Sequence, residues 1–158
     1  MKSITHTILA ALTGGVLTIG SATATAPNGL PLITGEAIAL RAQPGTADDG
    51  IARQLLAQEL ARSRQGGETP LVLVASARLS ATQEGDVLFV QLQSSRDCGS
   101  AGCSTVSFKR SKAGWVKILD TVAGTLRVAE TRHLGMSDLL IRERERLIWN
   151  GAKYTATS

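Results

Sequence analysis

The amino-acid sequence predicts an α+β fold, with an antiparallel β-meander sheet packed by one main N-terminal helix and one disulfide. Apolar residues recur at helical spacing between Ile51 and Leu60. After Pro70 the pattern changes to short strand-like runs separated by turn residues, and both cysteines lie between two of those runs. Short strands joined by tight turns are typical of an antiparallel sheet, and a helix with one apolar stripe needs a sheet to cover it.

The first 24 residues have the pattern of an export signal. Lys2 precedes an uncharged apolar stretch over residues 8–19, and Ala22 and Ala24 fit a cleavage site before Thr25. An uncleaved anchor is disfavoured, because a membrane span needs about 20 apolar residues. We therefore expect a signal peptide over residues 1–24 and one periplasmic α+β domain over residues 25–158. An extracellular destination stays open, and we expect no stable membrane insertion after cleavage.

One helix is predicted after a proline- and glycine-containing segment over residues 27–46, whose apolar residues can form a short strand or an arm over the core. Asp48 and Asp49 are the expected N-cap. Gly66 and Gly67 are expected to end the helix, about 16 residues after it begins.

Seven strand-like runs follow, and turns are predicted between them, including 83–86 and 111–114. Residues 131–137 read as a polar loop. Asn150-Gly151, between two apolar runs, is a strong β-hairpin signal. The aromatic residues lie within the strand runs and are expected in the core. The predicted strands cover residues 71–74, 87–92, 104–109, 115–119, 126–128, 139–141 and 146–149.

Cys98 and Cys103 are expected to form a disulfide that fixes a glycine-rich hairpin tip, because an exported chain folds under oxidising conditions. Gly99 and Gly102 permit tight backbone geometry between them. Redox catalysis is less favoured, since four residues separate these cysteines and two separate the usual redox pair. A zinc site would need more ligands, and His133 is the one histidine after residue 24. We expect no metal and no cofactor.

The charge of the chain is mildly basic. One of the 17 Lys and Arg residues leaves with the export segment, so that 16 face 13 Asp and Glu residues. This balance favours an acidic protein or another anionic envelope component as partner. Nucleic acid is disfavoured, because no basic patch is interleaved with aromatic residues. The alternating run Arg142–Arg146 reads as an exposed, charged turn, and the oligomeric state is undefined by the sequence.

His133 is the main candidate for chemistry. Asp138 can orient it as a general base, with Ser137 or Ser104 as nucleophile, although no nucleophile motif accompanies them. The alternative is that Asp138 caps the polar loop by accepting backbone N–H groups. We name no catalytic residue. The candidate binding residues lie in the cysteine loop and in the histidine segment: Arg96, Asp97, Gly99, Gly102, Arg132, His133 and Asp138.

Three motifs between Phe89 and Tyr154 resemble those of small exported proteins of Gram-negative bacteria, most of them uncharacterised. These are Cys-Gly-x-x-Gly-Cys over residues 98–103, His-x-Gly-x-x-Asp-Leu over residues 133–139, and Trp-x-Gly-x-x-Tyr over residues 149–154. The resemblance covers a little under half of the chain. It implies a periplasmic β-rich domain and transfers no catalytic residue.

The leading hypothesis is a non-catalytic periplasmic binding protein of inhibitor or immunity type, which recognises another envelope protein or an anionic envelope component. One alternative is a small envelope hydrolase or thiol enzyme that uses His133 or the cysteine pair. Another is an accessory subunit of an envelope complex. Replacement of His133 and of both cysteines separates an enzyme from a binder, because only an enzyme loses turnover while it stays folded.

Overall fold

The computed structural model describes residues 35–81, 86–121, 124–142 and 145–157. The expected export segment, residues 83–85 of an expected turn and residues 143–144 of the charged run lie outside these ranges. In the described ranges, neither helix is long and apolar enough to cross a membrane.

Two short helices precede ten β-strands along the described chain. The helices are α1 (Ala47–Leu55) and α2 (Ala57–Gln65). The strands are β1 (Leu71–Arg78), β2 (Asp86–Gln93), β3 (Cys98–Gly99), β4 (Gly102–Cys103), β5 (Thr105–Ser111), β6 (Gly114–Thr121), β7 (Leu126–His133), β8 (Met136–Ile141), β9 (Glu145–Trp149) and β10 (Tyr154–Ala156). The predicted α+β class with antiparallel strands is confirmed.

The strands form two four-stranded antiparallel sheets. The first sheet has the order β1-β2-β5-β6 and the second has the order β10-β9-β8-β7, while β3 and β4 form a separate two-stranded ribbon. Each four-stranded sheet is a meander of hairpin-connected neighbours, as the spacing of turns predicted. The division into two sheets follows from the break between β6 and β7, where Gly124 and Thr125 interrupt the pattern.

The predicted helix begins earlier than expected and is interrupted. Thr46, not Asp48 or Asp49, is the N-cap, and its hydroxyl accepts a hydrogen bond from the Asp49 N–H at 3.2 Å. Leu56 separates α1 from α2, yet Leu56 N–H still bonds to the Ala52 carbonyl and Leu60 N–H to the Leu56 carbonyl. No proline or glycine stands at this interruption, and nothing in the local sequence explains it. Gly66 caps the end as predicted.

The polar loop predicted over residues 131–137 is wrong, because these residues complete β7 and begin β8. His133 pairs with Met136, so that only Leu134 and Gly135 form the turn. The ladder between the two strands has an irregularity between Val128 and Arg132. A bulge of this kind breaks the alternation of polar and apolar residues by which a strand is recognised in a sequence.

The apolar core has two parts, one on each face of the first sheet. Between the two sheets, Phe89 and Val87 of β2 pack with Leu139 of β8 and Trp149 of β9. On the opposite face of the first sheet, the helices cover a second cluster through Ala52, Leu56 and Leu60. The aromatic side chains are placed as predicted. Phe89, Phe108, Trp149 and Tyr154 are buried, and Trp115 packs against the second cluster as a partly buried residue.

An arm of residues 35–41 closes one side of the sandwich. Ile38 N–H bonds to the Leu126 carbonyl of β7, and Arg41 and Val74 of β1 exchange two backbone hydrogen bonds. Ile38 itself is buried between the sheets. The arm therefore covers an edge strand of each sheet, and the other two edge strands, β6 and β10, lie on the opposite side.

Stability is expected to depend on pH through Asp49 at the start of α1. Its carboxylate accepts a hydrogen bond from the Arg53 Nε–H at 2.9 Å. This bond is the main cause that lowers the pKa of Asp49, against the opposing effect of its burial. A carboxyl group whose pKa is lower in the folded than in the unfolded protein stabilises above the unfolded pKa of about 4, and the contribution disappears as the pH falls through the folded pKa.

We therefore expect Asp49→Asn to lower the free energy of unfolding by about 1 kcal/mol at pH 7. The difference from the unmodified protein should shrink as the pH is lowered below about 4 and disappear once the carboxyl group is protonated in the folded protein as well. Urea denaturation at several pH values measures it. A difference that stays constant between pH 7 and pH 2 would show that the ion pair with Arg53 is not its cause.

Candidate functional site

One end of the sandwich collects three hairpin turns, at residues 112–113, 134–135 and 150–153. We call this the hairpin end. Strands β5 and β6 meet at Ser111 and Gly114, and β9 and β10 meet at Trp149 and Tyr154. A methyl group added at Gly151 would lie 3.7 Å from the Leu134 side chain, so the second and third turns are direct neighbours. The Asn-Gly hairpin is confirmed, with a four-residue turn in which the Asn150 side chain accepts from two backbone N–H groups.

The opposite end of the sandwich carries the disulfide. We call the loop of residues 94–104 with Arg142 the disulfide end. Cys98 and Cys103 are bonded to each other, as predicted, and they pair across β3 and β4 between strands β2 and β5. The Arg142 guanidinium donates a hydrogen bond to the Ala101 carbonyl at 3.0 Å. The loop is thus tied to the far end of β8.

Removal of the disulfide is expected to cost about 2 kcal/mol, since a ring of six residues restrains the unfolded chain only modestly. We expect the double variant Cys98→Ser/Cys103→Ser to lose this amount of unfolding free energy in urea denaturation. Because the disulfide end is remote from the hairpin end, the hydrogen bonds of the hairpin end should stay unchanged. A loss above about 4 kcal/mol would instead mean that the loop organises the whole sheet.

The structure separates the predicted binding residues into two groups. Arg96, Asp97, Gly99 and Gly102 lie at the disulfide end, in and beside β3 and β4. Arg132, His133 and Asp138 lie on β7 and β8 at or near the hairpin end. Strand β8 runs between the two ends for six residues, which corresponds to about 20 Å. The two groups of predicted binding residues therefore do not form one site.

The hairpin-end group is organised by a fully buried carboxylate. Asp138 accepts a hydrogen bond from the Thr131 hydroxyl at 2.5 Å with one oxygen, and its other oxygen lies 2.7 Å from His133 Nδ1. A carboxylate only accepts hydrogen bonds, so Nδ1 carries the shared proton and Nε2 is directed away from the pair. The expectation that Asp138 caps backbone N–H groups is therefore wrong. Its side chain fixes the orientation of an imidazole that is 45% exposed.

Two further groups surround Asp138 on β8 and β10. The Tyr154 hydroxyl donates to the Ser137 carbonyl at 2.6 Å. Burial, and then the negative charge of Asp138, raise the pKa of Tyr154 far above its ordinary value, so the phenol stays protonated as a donor. The Ser137 hydroxyl is buried and has no hydrogen-bond partner among the described residues. This places one of the two suggested nucleophiles out of reach of solvent. The other, Ser104, lies at the disulfide end.

Leu134 is the functional candidate that the sequence did not reveal. Its side chain is 75% exposed, more than any other large apolar side chain of the described residues. The backbone φ angles are +47° at Leu134 and +83° at Gly135, and a two-residue turn with both angles positive is of the type I′ class. Asparagine and glycine are the residues that suit such a turn, and a leucine is strained there. In the sequence, the signal that could have indicated this turn is a leucine followed by a glycine, between His133 and Met136.

A groove lies on the open side of the sandwich, between β6 and the turn of β9 and β10. We call it the edge groove. It has a volume of about 240 Å³. Among the described residues, none of those that line it is acidic, and Lys112 and Lys153 directly follow two of its lining residues in the chain. The lining residues are Lys109, Ser111, Val116, Ile118, Trp149, Gly151 and Ala152.

A second groove lies on the helix face near the disulfide end and has the opposite charge character. Its volume is about 200 Å³, and its lining includes Glu59, Asp97 and Asp120 with Lys117. Lys117 lies 3.3 Å from Asp120, and both side chains are exposed. The surroundings of the two grooves thus differ in charge, with more basic residues beside the edge groove and more acidic residues beside this one.

Neither end has the composition of a metal site. No group of three or more His, Cys, Asp or Glu side chains that can hold a metal ion occurs in the ranges that the structure describes. Comparison with protein-family models, with curated proteins and with solved structures yields no match.

Proposed function

We propose that the protein is a non-catalytic binding module of inhibitor or immunity type, which is exported to the periplasm and recognises another protein of the cell envelope through its hairpin end. One observation carries the proposal. Leu134 is held in a strained turn with its side chain 75% exposed, although an asparagine there would cost less free energy. Strain of this kind persists where the surrounding structure enforces it, and it is concentrated at functional sites.

The neighbours of Leu134 support this proposal. The imidazole of His133 is fixed by Asp138, and the next turn carries Gly151 against the Leu134 side chain. The oriented imidazole would lose little conformational entropy on association, and the exposed apolar side chain beside it offers surface that a partner can bury. The arrangement suits a protein surface that offers an apolar pocket for one side chain.

A pull-down from envelope extract of the native host tests the proposal, with the full chain as bait and quantitative mass spectrometry as readout. The bait variant Leu134→Asp removes the proposed anchor. Leu71→Asp is the matched control, because Leu71 is 50% exposed and lies at the start of β1, towards the disulfide end. We expect a protein that the unmodified and Leu71→Asp baits capture equally and the Leu134→Asp bait does not. Equal capture by all three baits would contradict the proposal.

A second candidate function is a small envelope hydrolase, which the His133–Asp138 pair favours. A buried carboxylate on Nδ1 is the arrangement that orients a histidine as general base. The base would act on water, since no hydroxyl of the described residues is hydrogen-bonded to His133. The hydrolase hypothesis predicts that His133→Ala abolishes the hydrolysis of cell-wall or ester substrates. The binding hypothesis predicts that even the unmodified protein does not hydrolyse these substrates.

A further inference from the structure

We propose that the edge groove binds an extended, acidic segment of the protein partner, which adds as a short strand to the free edge of β6. This inference rests on the proposed function and names the chemistry of the partner. Three features of the open side carry it: an unpaired strand edge, an apolar floor and two exposed lysines on the bordering turns.

The free edge of β6 faces away from β5. In the described ranges β6 pairs only with β5, and β10 only with β9. Ser111 and Gly114 flank a two-residue turn, and such a flanking pair is normally hydrogen-bonded. By alternation, Trp115 and Lys117 direct their backbone N–H and C=O groups outward, where an added strand can bond to them.

The length of the available edge is limited. Phe108 pairs with Lys117 and Ser107 pairs with Leu119, so that Ile118 is the extra residue of a bulge. A bulge ends regular pairing and twists the edge away. The free edge therefore offers residues 114–117, enough for a segment of about four residues.

The floor of the edge groove provides a place for one apolar side chain of that segment. Val116 is 49% exposed and projects into the groove opposite Trp149. Trp149 is itself fixed by an edge-to-face contact with Tyr154, at 5.5 Å between ring centroids. Alternate residues of an added strand would point into the groove, and the others would point outward.

The charge around the edge groove selects an acidic segment. Of the residues in the two turns that border the groove, 111–114 and 150–153, two are basic and none is acidic. Lys112 and Lys153 are exposed and stand on the two turns that border the groove. These lysines would attract the carboxylates of a docked acidic segment and would repel a basic segment.

An NMR titration of the ¹⁵N-labelled full chain tests the inference. The probe is a synthetic peptide, acetyl-Asp-Val-Asp-Ile-Asp-Val-Asp-amide, at low ionic strength. We expect saturable shifts of the Trp115 and Lys117 amides and of the Trp149 indole. Lys112→Glu/Lys153→Glu should lower the affinity for the peptide about tenfold through charge repulsion. The control Arg41→Glu/Arg64→Glu reverses two exposed charges away from the groove and should change the affinity less than twofold.

Three outcomes would overturn the inference. The first is no saturable shift at the β6 amides. The second is equal binding of acetyl-Asp-Gly-Asp-Gly-Asp-Gly-Asp-amide, which keeps the charge and removes the side chains for the floor. The third is preferred binding of phosphatidylglycerol vesicles over the peptide, which would identify a lipid surface. Any of these, combined with Leu134-dependent capture in the pull-down, would refute the groove inference and leave the proposed function standing.

Discussion

Replacement of Asp138 by alanine is expected to lower the free energy of unfolding by about 3 kcal/mol, because it removes two hydrogen bonds to a buried carboxylate. Its partners, the Thr131 hydroxyl and His133 Nδ1, join strands β7 and β8 beside the turn that carries Leu134. The variant should also let the imidazole reorient. Urea denaturation measures the stability, and the histidine side-chain NMR signals report the orientation.

Two further variants separate this effect from a general loss of charge. Asp120→Ala removes an exposed aspartate of β6 and should change stability by less than about 0.5 kcal/mol. Asp138→Asn keeps the shape of the side chain and part of its hydrogen bonding. Its free energy of unfolding should therefore lie between those of the alanine variant and the unmodified protein. If Asp138→Ala were as stable as Asp120→Ala, the buried network would not organise the hairpin end.

Leu134→Asn is expected to raise stability and to weaken recognition. Asparagine tolerates positive φ in the first position of a type I′ turn, so the variant should gain about 1 kcal/mol of unfolding free energy. Loss of a central apolar anchor should weaken partner binding by about 30-fold or more. Urea denaturation and a binding titration with the captured partner measure the two quantities.

The opposite signs of these two effects make the prediction specific. A leucine retained only for folding would be stabilising, so that Leu134→Asn would lose unfolding free energy. A leucine retained for binding costs stability, as functional residues commonly do. Gly135→Ala is the companion variant. At φ +83° it should be destabilising, because alanine is strained there.

The sequence predicted well those elements whose pattern is local. Strand β2 contains a continuous apolar run because both of its faces are buried, β5 directly follows the cysteine loop, and the apolar stripe of the helical segment ends at Gly66. Turn residues at 111–114 and 150–151 marked two of the hairpins. In each case the prediction depends on a few neighbouring residues, through their apolar periodicity, the backbone conformations they permit or an even number of cysteines.

The hairpin of β7 and β8 was missed for physical reasons that no local pattern contains. The irregularity after Val128 breaks the alternation, and Thr131, Arg132 and His133 are polar because they face solvent or Asp138 rather than the core. β-Propensity depends strongly on such surroundings. The burial of Asp138 depends on residues of the neighbouring strand, and the closeness of Leu134 to Gly151 depends on two turns 16 residues apart in the chain becoming neighbours.

The division of the candidate site also required the structure. The cysteine loop and the histidine segment are separated by only 29 residues in sequence, from Cys103 to Arg132, but they lie towards opposite ends of β8. In a meander, alternate turns lie at the same end of the sheet. The number of strands between two turns therefore determines whether the turns lie at the same end or at opposite ends. The loop predicted over residues 131–137 leaves the number of strands unchanged but makes β7 and β8 too short, so the tight turn at this end and the positions of His133 and Asp138 beside it were not predicted.

In-cell photo-crosslinking tests the central claim most directly, that the hairpin end is a surface for protein recognition. A benzophenone amino acid is placed at position 134 in one strain and at position 71 in another, and each strain is irradiated in its native envelope. We predict one discrete protein adduct from position 134 and none from position 71. Absence of an adduct at 134, or the same adduct from both positions, would contradict the claim.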